Sequence, residues 1–122
     1  MQRSDHGYEK TICVLGLGYI GLPTAAVLGS RGYDVRGVDV VQSVVDSINS
    51  GETHIVEPDL DILVRAAVQT GRLEAFTEPS PSDIFMICVP TPLGPDNSPS
   101  IDYVIDATEA ICPHLKENDL VI

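Results

Sequence analysis

The sequence predicts an α/β protein: a parallel sheet wound with helices on both faces. Three observations predict it. Short apolar runs alternate with stretches of helical period along the whole chain. Two of those runs, residues 11–15 and 84–89, are unbroken apolar stretches from Ile12 and Ile84 onward, as strands covered on both faces are. Glycines 16, 18 and 21 follow the first run in the pattern G-x-G-x-x-G, which joins a strand to a helix through a tight turn.

The elements follow in order. Residues 11–15 are the first strand. Residues 20–30 form a helix, with Pro23 in its first turn, where a missing N–H costs little, and Arg31-Gly32 as its glycine stop. The second strand, residues 34–38, delivers Asp39 at its end. Val41, Val44, Val45 and Ile48 share one helix face, and Gly51 ends that helix. Glu57-Pro58-Asp59 opens another, with Pro58 at the first helical position, a buried face of Leu60, Leu63, Val64 and Ala67, and Gly71 as its stop. Residues 73–77 are the third strand and residues 84–89 the fourth. Ser100 caps a helix with the face Ile101, Val104, Ile105, Thr108 and Ile111, which Pro113 ends or kinks. A fifth strand begins at Leu120.

Right-handed crossovers give the strand order 3-2-1-4-5, a Rossmann-like, doubly wound sheet truncated at strand 5. One connection is short. Strand 3 must pass strands 2 and 1 to reach strand 4, three steps of about 4.8 Å, or about 14 Å. Six extended residues reach about 20 Å, so a proline-stiffened arch suffices and a long helix does not fit. Residues 1–10 read as a polar tail and residues 11–122 as one domain.

Composition excludes several functions. Hydrophobic residues make up 43% of the chain, enough for a core. Seven Lys+Arg stand against eighteen Asp+Glu, a net charge of −11, so nucleic acid finds no basic footprint. Any phosphate must be held by backbone amides and a helix dipole. No apolar run approaches the ~18 residues of a membrane span. The polar N-terminus has no signal-peptide character. Cys13, Cys88 and Cys112 are odd in number and form no C-x-x-C pair, which points to a reduced, cytoplasmic protein. Each reads as a small core hydrophobe. His6, His54 and His114 do not join them at ligand spacing, so no metal is expected. His54 reads as structural or solvated.

What the glycines do is decided by their surroundings: strand, glycine turn, helix, second strand, acid, all in order. Gly16 permits the tight turn, Gly18 leaves room for a diphosphate, and Gly21 lets helix and strand pack closely. Asp39 lies 18 residues after Gly21, the spacing of a ribose-binding acid. It would repel the 2′-phosphate of NADP, and Val40, Val41 and Gln42 supply no cation to rescue it. NAD is therefore the expected cofactor. Val89, Pro90 and Thr91 follow strand 4 across the switch point of the sheet, where ligands lie, and form the expected second wall.

"GLGYIGLPTA", "GVDV", "IVEPDL", "VPTPL" and "SIDYV", in that order, resemble the NAD-binding N-terminal domain of the UDP-glucose/GDP-mannose dehydrogenase family. "GYIGLP", "HIVEPDL" and "VPTP" are most similar to the branch acting on UDP-N-acetyl-D-mannosamine. The resemblance implies double oxidation of a UDP-sugar at C6 by two NAD⁺, through an aldehyde and a cysteine thioester, in nucleotide-sugar and polysaccharide biosynthesis. It implies that Gly16, Gly18, Tyr19, Ile20 and Gly21 form the diphosphate turn, Asp39 the ribose acid, and Val89, Pro90 and Thr91 the cofactor wall. No cysteine here matches the family's catalytic one, so no catalytic residue is expected in this chain, and it reads as a fragment of a homodimeric or larger enzyme, inactive alone. A UDP-glucose 6-dehydrogenase fragment and a stand-alone nucleotide-sensing module remain alternatives.

Overall fold

A computed structural model describes residues 10–122. The tail reading of residues 1–10 lies outside it, apart from the exposed Lys10. The strands are β1 (Thr11–Leu15), β2 (Asp34–Val38), β3 (Leu73–Phe76), β4 (Ile84–Ile87) and β5 (Leu120–Val121). They form one parallel sheet in the order β3-β2-β1-β4-β5, the predicted topology.

Helices α1 (Gly21–Ser30), α2 (Gln42–Asn49) and α3 (Leu60–Gln69) cover one face. Alternation along the strands explains which side chains meet them. Ile12 and Val14, Val35, Leu73 and Ala75 point to this face, and Cys13, Leu15, Val38 and Phe85 to the other. Among the described residues the side of these three helices holds fifteen buried core residues; the other side holds six, two of them in α4 (Asp102–Ile111), so most of the apolar burial stabilises the first side.

All three helices of the first layer stop alike. Gly32, Gly51 and Gly71 take positive φ, and the amides around them satisfy the last carbonyls: Tyr33 N bonds Leu28 O, Glu52 N bonds Ser47 O, and Arg72 N bonds Ala67 O. Asn49, in the last turn of α2, closes the free edge of β3. Its side-chain amide donates to Ala75 O (2.9 Å) and accepts from Ala75 N (2.8 Å), as a further strand would.

The β3–β4 connection is the predicted arch, without a helix. Arg36 of β2 ties it down, its Nη1 donating to Ser80 Oγ (2.9 Å) and to Pro81 O (2.8 Å). At the far end of the sheet, Lys116 Nζ donates to Asp83 Oδ1 (3.3 Å), Asp119 Oδ1 and Ser82 O (3.1 Å), while Asp83 Oδ2 accepts from Thr11 N (2.8 Å). This network joins the starts of β1, β4 and β5.

Five expectations need correction. Ser100 is not the cap of α4: Ile101 is the N-cap, no side chain caps the helix, and it starts at Asp102. Pro58 is not the first residue of α3. It sits in a turn, Asp59 takes φ +64° as the N-cap, and the helix starts at Leu60. Val41 is exposed, because it precedes α2 and faces a cleft. The buried residues of α4 are Ala107 and Ile111, with Val104 half-buried; Ile101, Ile105 and Thr108 are exposed. Finally, Cys112 is no core residue: it is exposed in the 3₁₀ turn after α4, its thiol donating to Thr108 O (3.2 Å).

Candidate functional site

The strands of a parallel sheet end together, and at the carboxyl ends of β1, β2, β3 and β4 the chain encloses a cleft of about 1010 Å³. Neighbouring connections diverge there, because β1 leads to α1 on one face while β4 leads toward α4 on the other. Gly16, Gly18, Tyr19, Ile20, Asp39, Val89, Pro90 and Thr91 all line it. Gly21 is buried behind the turn.

The three glycines are there for three different reasons. Gly16 takes φ +96°, and a Cβ on it would meet the Cys88 carbonyl oxygen at 2.8 Å. A Cβ on Gly21 would lie 1.6 Å from the carbonyl oxygen of Gly16, so no other residue lets α1 start this close to β1. At Gly18 the protein itself makes no such demand. Its φ is not positive, and a Cβ would meet nothing within 4 Å. The space it leaves opens into the cleft.

That space faces a helix terminus with no cap. No side chain caps α1, and its first turn carries no acid. Among the described residues, none accepts a hydrogen bond from the amides of Gly18, Tyr19, Ile20 or Gly21. Successive free N–H groups at the positive end of a helix are an anion site. The side chains of Tyr19 and Ile20 are 71% and 69% exposed, so their amides rather than their cores define this wall.

Asp39 faces the same turn. Its Oδ2 accepts from Leu17 N (3.1 Å) and its Oδ1 from Val41 N (3.0 Å). The carboxylate thus links the glycine turn to the loop after β2 and keeps lone pairs on both oxygens for further donors. Two hydroxyls of a ribose are such donors. The site fits a dinucleotide on both counts: an unblocked amide cradle for a diphosphate, and a fixed acid for a ribose.

Several lining residues lie outside the predicted set. Thr77, Glu78 and Pro79 follow β3, and the strand-end rule that located Thr91 points to them equally. Tyr103, Asp106, Ala107 and Ala110 face the cleft from α4 at the spacing i, i+3, i+4, i+7. Cys88 also lines it, half-buried just beyond β4, and burial pushes its thiol up from the ordinary value. A protonated thiol is a poor nucleophile. His54 is exposed and lies outside the cleft. Among the described residues no group of three or more His, Cys, Asp or Glu side chains can hold a metal ion, and no helix is long and apolar enough to cross a membrane.

Residues 10–122 match the UDP-glucose/GDP-mannose dehydrogenase family, NAD binding domain. The chain is 58% identical over 113 residues to an NDP-N-acetyl-D-galactosaminuronic acid dehydrogenase of Ralstonia nicotianae, covering 93% of this chain and 27% of that protein. It is 54% identical over 112 residues to a UDP-N-acetyl-D-mannosamine dehydrogenase of Campylobacter jejuni, covering 91% of this chain and 28% of that protein. Among solved structures, a UDP-N-acetyl-mannosamine dehydrogenase from S. aureus matches with a TM-score of 0.89 at 39% identity, over 91% of this chain and 28% of that one. The chain therefore spans little more than a quarter of the length of the relatives it matches.

Proposed function

The chain belongs to the UDP-glucose/GDP-mannose dehydrogenase family, and from that premise we propose that it is the cofactor-holding part of a UDP-sugar 6-dehydrogenase, with UDP-N-acetyl-D-mannosamine as substrate and its uronate as product. The observation that carries the cofactor site is Gly18, a position the fold leaves free and the cleft needs empty. Bound there, NAD⁺ supplies the hydride acceptor, and two equivalents account for the four-electron oxidation of a C6 alcohol to a carboxylate.

This chain's own residues bind and orient. The amides of Gly18, Tyr19 and Ile20 hold the diphosphate at the open end of α1. Gly16 and Gly21 shape the turn, and Asp39 takes the adenosine ribose. Val89, Pro90 and Thr91 form the opposite wall, where Pro90 and Pro92, lacking N–H groups, keep the loop extended. Orientation of this kind contributes to rate by fixing the reacting partners before the reaction begins. The thiol, base and sugar-binding groups come from the remaining length that the relatives have, which also builds the homodimer or larger assembly, in the cytoplasm, in the making of polysaccharide precursors.

A second reading, an N-acetylgalactosamine substrate, draws on the 58% identity to the Ralstonia protein. The test of the cofactor site is calorimetric titration of this chain with NAD⁺, where saturable one-to-one binding is expected and no binding refutes it. The sugar is tested by NADH release from the longer protein carrying this chain, given UDP-N-acetylmannosamine, UDP-N-acetylgalactosamine and UDP-glucose in turn. The first is expected to be oxidised fastest, with two NADH per sugar.

A further inference from the structure

Asp39 is the expected reason for a preference for NAD, yet its carboxylate is not free. Both of its oxygens already accept backbone amides. A second carboxylate, Glu78, lies just past the end of the neighbouring strand. β2 and β3 are paired in parallel with Val38 opposite Phe76, and Asp39 N donates to Phe76 O (3.0 Å). The chain then reaches Thr77 and Glu78 on β3's side of the cleft as it reaches Asp39 and Val40 on β2's side, and all four line it. Glu78 is exposed and accepts from no described donor. No lysine, arginine or histidine is among the described lining residues.

From this juxtaposition we infer that Glu78 is a second determinant of cofactor choice, excluding the 2′-phosphate of NADP⁺ by charge while making no contact that NAD⁺ needs. The inference rests on the NAD site proposed above. A 2′-phosphate differs from a 2′-hydroxyl by about two negative charges, and it is carried on the ribose proposed for Asp39, at the strand ends where Asp39 and Glu78 both line the cleft. Glu78 repels it there across an aqueous gap, an effect that reaches about one Debye length and weakens with salt. Asp106 also lines the cleft, but from α4 on one face of the sheet, whereas Glu78 follows β3, the strand paired with β2.

The experiment titrates the full chain and its Glu78→Gln and Asp106→Asn variants with NAD⁺ and with NADP⁺, each at about 20 and 300 mM salt. Glu78 is exposed, so its variant folds, and circular dichroism checks this. E78Q is expected to bind NADP⁺ roughly three- to tenfold tighter than the parent at low salt, with less gain at high salt and NAD⁺ affinity unchanged within about twofold. D106N is expected to change the ratio of the two affinities less. Unchanged NADP⁺ affinity in E78Q, or an equal gain in D106N, overturns the inference while leaving the NAD site intact. Failure of the parent chain to bind NAD⁺ overturns the site itself and the inference with it.

Discussion

Asp39 Oδ2 accepts the backbone amide of Leu17 at 3.1 Å, so the acid at the end of β2 holds the loop that β1 leads into. Removing it acts twice: the ribose loses an acceptor, and the glycine turn loses a tether. Asp39→Ala is expected to weaken NAD⁺ binding by about 1.5–3 kcal/mol, the range for hydrogen bonds to a charged group. The parent is expected to prefer NAD⁺ over NADP⁺. Calorimetry with both cofactors measures each value, and equal affinities in the parent would remove the ribose role of Asp39.

The glycine triplet separates by substitution. Gly18→Val is expected to fold, since a Cβ there meets nothing within 4 Å, and to lose NAD⁺ binding, since the branched side chain fills the space at the amides. Gly21→Ala is expected to fail earlier, in folding, because its methyl would collide with Gly16 O. Thermal melts and titrations of the two variants distinguish these outcomes. A Gly18→Val variant that binds NAD⁺ normally would show that the diphosphate lies elsewhere.

The three thiols are expected to react in order of exposure. Cys112 is exposed and is alkylated first. Cys88 follows slowly, its thiol raised by burial, and NAD⁺ in the cleft is expected to protect it. Cys13 is fully buried and its thiol is pushed up to about 11, so it reacts only on unfolding. Peptide mass spectrometry after timed iodoacetamide treatment, with and without NAD⁺, reads all three. Equal protection of Cys112 would place the ligand away from the cleft.

The cluster at the starts of β1, β4 and β5 sets a pH window. Hydrogen bonding to Lys116 lowers Asp119, and the Thr11 amide, followed by Lys116, lowers Asp83, both from an ordinary 3.8. Their stabilisation is present above that value and is lost as pH falls through the depressed values in the folded protein. Asp119 and then Asp83 raise Lys116 from 10.5, so its share is present below that value and is lost as pH rises through the raised one. Lys116→Met is therefore expected to melt below the parent near neutral pH, with the gap closing below pH ~3.8 and above pH ~10.5. A gap independent of pH would mean that the stem of Lys116, and not its charge, matters here.

This chain alone is expected to release no NADH from UDP-N-acetylmannosamine, UDP-N-acetylglucosamine or UDP-glucose. The second oxidation needs a low-pKa thiol with a base and a cation beside it, and the described lining residues offer only Cys88, raised by burial, with no cation. Turnover that survives Cys13→Ala and Cys112→Ala and disappears with Cys88→Ala would overturn this.

Much of the fold and of the cleft is legible in the sequence, for physical reasons. Continuous apolar runs mark the two strands, β1 buried from Ile12 to Leu15 and β4 buried only at Phe85 and ending at Ile87 rather than Val89, and the glycine spacing reports a turn with only one compact solution. On α4 the period finds Ile111 but not Ala107, because counting large aliphatics favours Ile101 and Ile105, while the sheet accepts the small Ala107 near the cleft. The start of α3 was hidden because a left-handed Asp59 leaves no mark in composition. Thr77, Glu78 and Pro79 were missed since a strand end announces its neighbours only once the strand order is laid out in space.

Among the described residues the buried side chains divide fifteen to six between the two faces of the sheet, which is expected to make local opening uneven. In native-state hydrogen exchange, the amides of α4 should open at a lower free energy than those of α1 or α3, as a separate cooperative unit. The cleft has one wall from each unit: the glycine turn from the firm one, and Tyr103 to Ala110 from the loose one. A dinucleotide bound between them would act as a clasp. If opening either wall releases it, bound NAD⁺ is expected to raise the exchange protection of α4 and of the glycine turn by the same binding term, so that α4 no longer opens on its own below that term.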